Sequence, residues 1–375
     1  MNIALLGFGV VGGGVYEWCR ARNDLCVKRV LVRSEKPEIT AIATKDFDDI
    51  LRDATIDTVA ECMGGLHPAY EYVSAALKAG KNVVTANKAL IAAYYTELIA
   101  LAKENGVALR CTAAVGGGIP WLVNLERCKR LDTLVEVGGI MNGTTNYIMD
   151  AMHRSDADFV DILKSAQELG YAEADPSADI DGDDIRRKLV ISANVAFGVS
   201  VEEESIPTFG IRCVTKEDIR LIKAHGFACK LLAKAERTEN GICAYIEPTL
   251  VGANDLEAAV PANFNLISYA GEQIGRQSFF GQGAGRFPTA ANVVQDCLDI
   301  LQGQKSFYAE DTSAAALERT EAHPYYVRCQ EPDDFIQGLI AEEWAAHCYV
   351  TGAVDCGRMI DWAKKHPGCF IAGIR

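Results

Sequence analysis

The sequence predicts an α/β protein: a parallel-sheet domain comes first, an α+β domain second, and a short C-terminal βαβ-like extension last. Three observations carry this expectation. From Asn2 to about Cys128 short apolar runs alternate with helical stretches, the pattern of a parallel sheet covered on both faces. Beyond Leu131 the strand-like runs lengthen and the short alternation stops. At 375 residues the chain is also too long for one ordinary core. The expected limits are 1–130 with a return segment over 283–305, then 131–282, then 306–375.

Taken in order, strands are expected over 3–6, 27–32, 58–62, 82–85 and 108–111. Helices are expected over 10–20, 68–79 and 94–105, the last two closed by Gly80 and Gly106 where a C-terminal cap favours glycine. In the second domain the clearest strands are 133–139 and 243–250. The final segment, from about Phe307, offers a strand over 325–329, a helix over 333–344, a strand over 347–350, a helix over 359–364 and a strand over 369–374.

Composition narrows the function. A formal charge of -14 argues against a nucleic-acid partner, which needs a basic face. No apolar run approaches the ~20 residues that span a bilayer, so no membrane partner is expected. The N-terminus runs straight into a strand with no export signal, and 13 scattered cysteines contain no Cys-x-x-Cys pair. Both features suit reduced thiols and a cytoplasmic protein. None of the six histidines has a ligand partner at metal-binding spacing, so no catalytic metal is expected.

The first chemical motif is Gly7-Phe8-Gly9-Val10-Val11-Gly12, set between an apolar strand and a helix. In a Rossmann-type unit the first glycine permits the tight turn, the second lets a pyrophosphate approach the backbone, and the third lets helix and strand pack closely. An NAD-specific site would place an acid at the end of the second strand; here that strand runs into Arg33 and Ser34, which suit a 2′-phosphate. NADP(H) is therefore expected over NAD(H). The alternative, a solvated arginine with Glu35 beside it, stays open.

Ionisable groups are densest over 170–188, Gly-Tyr-Ala-Glu-Ala-Asp-Pro-Ser-Ala-Asp-Ile-Asp-Gly-Asp-Asp-Ile-Arg-Arg-Lys. Asp181 or Asp183 can cap a helix running from about 184 to 196. Asp184 and Lys188, four apart, share one helical face and can pair. A lysine there can exchange a proton with a substrate hydroxyl if its pKa is lowered. A calcium loop fails on spacing, because it would put Lys188 where the bidentate acid belongs.

In company with Glu61-Cys-Met-Gly-Gly65, Gly80-Lys-Asn-Val-Val-Thr-Ala-Asn-Lys88, Val115-Gly-Gly-Gly-Ile-Pro120, Gly139-Ile-Met-Asn-Gly-Thr-Thr-Asn-Tyr147 and Gly281-Gln-Gly-Ala-Gly285, this block resembles the homoserine dehydrogenase family over roughly residues 1–300. The resemblance implies interconversion of L-homoserine and L-aspartate 4-semialdehyde with NADP(H), in the branch that supplies threonine and methionine. It implies that Lys188 exchanges the proton at the substrate oxygen, and that Lys88 is a second active-site lysine close enough for each ammonium to depress the other's pKa. Glu173 and Asp184 would hold the substrate amino group with Asp179 in support, beside Asn142, Gly143 and Thr144. Besides the glycine motif and Arg33-Ser34, the cofactor would meet Met63, Gly64, Lys88, Gly170, Glu173, Gly283 and Gly285. The family's monovalent cation, Na+ or K+, would fall on Val115, Gly117 and Ile119, although Thr112 stands where a glutamate is common. A homodimer through the second domain is implied as well. The last seventy or so residues are too few for the double regulatory module of longer members, which argues against feedback by threonine. The competing readings are a reductase of another amino-acid semialdehyde and a non-catalytic amino-acid or nucleotide sensor.

Overall fold

A computed structural model describes residues 1–304, 313–314, 317 and 321–375. The chain divides into two compact units: Met1–Leu131 with Val190–Ser200 and Gly281–Ser313, and Asp132–Leu189 with Val201–Phe280 and Ala314–Arg375. The boundary expected near 306 lies outside the described residues.

Six parallel strands form the sheet of the first unit: β1 (Asn2–Leu6), β2 (Cys26–Leu31), β3 (Ala43–Thr44), β4 (Thr58–Glu61), β5 (Asn82–Thr85) and β6 (Leu109–Arg110). They lie in the order β3-β2-β1-β4-β5-β6, so the chain reverses direction across the sheet between β1 and β4. Ligands of such sheets bind outside the strand ends at that switch point. Ile3 to Leu6 are fully buried, as a central parallel strand covered on both faces must be.

Helix Lys88–Glu104 starts six residues before the sequence-based expectation. Asn87 explains the early start, since its side chain accepts from the Leu90 N–H at 3.2 Å and caps the first turn. Tyr94 then breaks regularity with φ -124° and ψ 23°, which displaces the apolar period and hides the first turns from a periodicity reading. Helices Trp121–Lys129 and Arg286–Leu301 went unexpected. The second of these lies against helix Val10–Arg20, so closely that a Cβ on Gly14 would stand 2.9 Å from the Ala290 methyl. It also supplies Asp296 and Asp299 to the buried Arg110 guanidinium, at 3.0 and 2.5 Å.

The second unit is built on a nine-stranded sheet of β7 (Leu134–Ile140), β8 (Phe227–Arg237), β9 (Ile242–Gly252), β10 (Phe264–Gly271), β11 (Gly275–Gln282), β12 (Tyr325–Arg328), β13 (Ile340–Ala345), β14 (Cys348–Thr351) and β15 (Phe370–Ile374). Their order is β11-β10-β7-β8-β9-β15-β12-β14-β13. The final strands therefore continue this sheet, through a parallel pairing of β9 with β15 at Thr249 and Leu250, instead of forming a sheet of their own. The helix expected over 333–344 is corrected to one turn, Asp334–Gln337, followed by β13. Pairing of β13 with β14 in a hairpin outweighs the local helical preference. Ile140, Leu232, Val251, Val260 and Leu266 form one apolar cluster of this unit. Among the described residues no helix is long and apolar enough to cross a membrane.

Candidate active site

In the first unit the switch point is a cradle of backbone. Gly7 has φ +95°, in the left-handed region that favours glycine, and its N–H donates to the Leu31 carbonyl at 3.0 Å, which closes the turn after β1. A Cβ on Gly12 would run into the Gly7 carbonyl oxygen, so the turn and the helix can meet only with glycine there. Gly9 is different: a Cβ there would meet nothing within 4 Å. That open space lies at the N-cap of helix Val10–Arg20, where no side chain caps the first turn. N–H groups and the helix dipole thus face open space suited to a pyrophosphate, and this is the fit the cofactor requires. Phe8, Val10 and Val11 lie around the turn, with Val10 67% exposed. Arg33 and Ser34 follow β2 after Val32 and are exposed, with no acid between them and Leu31.

Glu61, at the end of β4, organises the loop that follows it. It is fully buried and accepts from the Thr85 hydroxyl at 2.6 Å and from the N–H groups of Met63 and Gly64 at 2.7 and 3.2 Å. Burial pushes its carboxyl pKa up, against those hydrogen bonds. The Thr85 hydroxyl in turn accepts from the Asn87 N–H at 3.0 Å, and the Asn87 amide donates to the Gly65 carbonyl at 2.6 Å. One carboxylate therefore fixes the Met63–Gly64 loop and, through Thr85 and Asn87, the start of the helix on which Lys88 is the first residue, half-buried. The sequence signal for it was an acid closing an otherwise apolar strand.

The expected cation carbonyls lie in the same unit. The Ile119 carbonyl accepts from both the Trp121 N–H at 2.8 Å and the Asn292 amide at 3.1 Å, which also reaches the Gly117 carbonyl at 2.5 Å. Thr112 is spent on Asp296, through its N–H at 2.9 Å and its hydroxyl at 2.7 Å. Gly117 packs against the backbone of Gly283, and Gly285 is the N-cap of helix Arg286–Leu301.

Four of the expected polar residues meet in the second unit. Asn142 caps helix Gly143–Arg154, accepting from the Thr145 N–H at 2.8 Å, while its amide donates to Asp179 at 2.7 Å and to Asp184 at 2.8 Å. The Lys188 ammonium lies 2.7 Å from Asp184 and donates to the Met141 carbonyl at 2.7 Å. The pair is the i,i+4 contact that the spacing predicts, with both side chains 9% exposed. A lysine, two acids and an amide thus converge where helix Asp183–Phe197 begins and helix Gly143–Arg154 is capped. Such a constellation can hold an ammonium group and pass a proton.

The remaining expected residues stand around this cluster. Thr144 donates its hydroxyl to the Tyr171 carbonyl at 2.6 Å, tying the helix to the turn after Gly170. Gly143 approaches Asn263 closely, since a Cβ would lie 2.6 Å from that residue's carbonyl oxygen. Glu173 is exposed, with its carbonyl held by Gln167 at 3.0 Å, and no hydrogen bond ties its carboxylate to the cluster. Asp181 does not serve as the helix cap, because Arg212 engages both of its carboxylate oxygens at 2.7 and 2.6 Å.

Comparison with known proteins gives concordant matches. The family profile described as homoserine dehydrogenase matches residues 120–298, and that described as homoserine dehydrogenase, NAD binding domain, matches 7–112. The chain is 37% identical to a homoserine dehydrogenase of Bacillus subtilis, over 81% of this chain and 74% of that protein. It is 40% identical to one of Synechocystis, over 80% of this chain and 73% of that protein. Among solved structures, a homoserine dehydrogenase from Thiobacillus denitrificans superposes with a TM-score of 0.90 at 31% identity, covering 100% of this chain and 98% of that one.

Proposed function

Because the chain belongs to the homoserine dehydrogenase family and is an NAD(P)-dependent oxidoreductase, we propose that it interconverts L-homoserine and L-aspartate 4-semialdehyde with NADP(H) in preference to NAD(H). The reading places it in the cytoplasm as a homodimer, on the branch leading to threonine and methionine. One observation carries the residue roles: Lys188 is held by Asp184 and the Met141 carbonyl, with Asn142 and Asp179 completing the group. When bound, the dinucleotide supplies or accepts the hydride.

The chain's own residues do the rest. Lys188 Nζ gives a proton to the substrate oxygen as the aldehyde is reduced and takes it back in the reverse direction. Asp184 and Asp179 present negative charge to the substrate ammonium, and Asn142 fixes their spacing. Glu173 is a further carboxylate for the ammonium, and Lys88 a second cation toward cofactor and substrate. Around the dinucleotide, Gly7, Gly9 and Gly12 seat the pyrophosphate, Met63 and Gly64 flank it on the loop that Glu61 fixes, and Gly170, Gly283 and Gly285 offer backbone without side chains. Arg33 and Ser34 support the 2′-phosphate preference, since an arginine can pair with a phosphate and the first acid after the strand, Glu35, lies beyond them. A monovalent cation does not fit as readily: the Ile119 carbonyl already has two donors, and Thr112 is committed to Asp296.

The test is consumption of NADPH by the purified protein with L-aspartate 4-semialdehyde, set against other amino-acid semialdehydes and against NADH. Turnover of another semialdehyde but not of this one would overturn the substrate. In the Arg33→Ala variant, NADPH affinity should fall about tenfold with NADH affinity unchanged, and equal losses would overturn the cofactor preference.

A further inference from the structure

The second unit contains a cavity of about 440 Å³ whose lining includes Asp150, His153, Arg154, Lys223, Phe227 and Lys230. It lies toward the C-terminal end of helix Gly143–Arg154, whereas Asn142 caps the opposite end. Eleven residues of helix separate Asn142 from His153, roughly 16 Å at the usual rise, so this cavity is distinct from the Asn142–Lys188 cluster.

Lys230 is its unusual feature. The side chain is 2% exposed, yet it has no carboxylate partner among the described residues. Its ammonium donates to two neutral oxygens, Asn146 Oδ1 and the Val260 carbonyl, both at 2.9 Å. An ammonium has three N–H donors, so one is left over. A charge buried without a counterion is costly, and burial duly pushes the Lys230 pKa down to about 8. The nearest acid, Asp150, does not compensate at close range: one of its oxygens accepts from Arg154 at 3.0 Å and the other from the Ala262 N–H at 2.8 Å. His153 accepts from the Cys229 N–H at 2.9 Å through Nε2, which leaves the ring proton on Nδ1 and makes the imidazole a donor there. Lys223 adds a second ammonium, donating to the His153 carbonyl. The rest of the wall is apolar, with Phe227 and alanines at 228, 253, 258 and 259.

We propose that this cavity is a binding site for a small aliphatic carboxylate, whose anionic end pairs with Lys230 and Lys223 and whose hydrocarbon part lies against Phe227 and the alanines. The volume admits a molecule of a few carbons with room to spare. The apolar share of the lining favours an organic anion over inorganic phosphate, which would leave that surface uncovered.

Titration calorimetry of the full-length protein with butyrate, succinate and inorganic phosphate as separate probes tests the assignment. Saturable binding of butyrate or succinate is expected, weakened about tenfold or more in Lys230→Met, which keeps the length of the side chain and removes its charge. Should that variant not fold, Lys223→Met, altered at the rim, should weaken the same binding several-fold while leaving NADPH affinity intact. Binding of phosphate alone, binding of neither carboxylate, or carboxylate binding indifferent to both lysine substitutions would each overturn the proposal.

Discussion

Replacement of Lys188 by methionine separates what this side chain does for the fold from what it does for the reaction. The ammonium sits 2.7 Å from Asp184 and 2.7 Å from the Met141 carbonyl, and both members of the ion pair are 9% exposed. Lys188→Met fills nearly the same space but leaves Asp184 charged and buried, with the Asn142 amide still donating to it at 2.8 Å. Removing one partner of a buried pair costs about 3–5 kcal/mol, and the surviving amide bond puts the expectation at the lower end. Adding Asp184→Asn removes the stranded charge, so the double variant should recover most of that loss, to within about 1–2 kcal/mol of the parent. Turnover should behave otherwise. Loss of a positioned proton donor costs about 10²–10⁴-fold in rate, and the second substitution returns no proton donor, so the double variant stays as inactive as the single one. Urea unfolding, NADPH titration and steady-state rates on the parent, both single variants and the double variant give the full cycle. The reasoning is refuted if the double variant is no more stable than Lys188→Met, or if NADPH affinity drops as far as turnover does.

Other expectations follow from the same structure. Gly9→Ala should leave the melting temperature nearly unchanged, because its Cβ would meet nothing within 4 Å, yet weaken NADPH binding by placing a methyl where the pyrophosphate must come; unaltered affinity in a fluorescence titration would remove the cradle from its assigned place. His153 is held at about pKa 4, below the ordinary imidazole value of 6.5, by burial first and then by Lys230 and Lys223. The unfolded chain therefore takes up the proton first as pH falls, so stability present above pH 6.5 is lost progressively toward pH 4, by roughly 3 kcal/mol at most. Denaturation curves of the parent and of His153→Gln, whose amide oxygen can still accept from Cys229, should diverge across that window; parallel curves would contradict the shift.

Much of the site was legible because its rules are local. The turn at Gly7 and the close approach at Gly12 involve residues five apart, and the Asp184–Lys188 contact is set by one helical turn. What escaped depends on chain segments far apart. Nothing near Ile119 in the sequence reveals that Asn292, 173 residues on, donates to its carbonyl, so the count of lone pairs left for a cation could not be made. The Asp181 cap failed for the same reason, since Arg212 takes the carboxylate from 31 residues away. Strand β13 was mistaken for helix because the hydrogen bonds that define it come from β14, whereas periodicity weighs only the segment itself. Asn142 was expected beside the substrate, but its part as the clasp between two acids depends on a fold that brings residues 142, 179 and 184 together.

The return of helix Arg286–Leu301 to the first unit bears on how the polypeptide is made. A fragment stopping near residue 131 would contain all six parallel strands, yet Arg110, 1% exposed in the full chain, would lack both of the acids that neutralise it, and the surface beside Gly14 would be bare. The nucleotide-binding half therefore cannot reach its finished form until the ribosome has delivered residue 301, by which time the strands of the second unit up to β11 have already emerged.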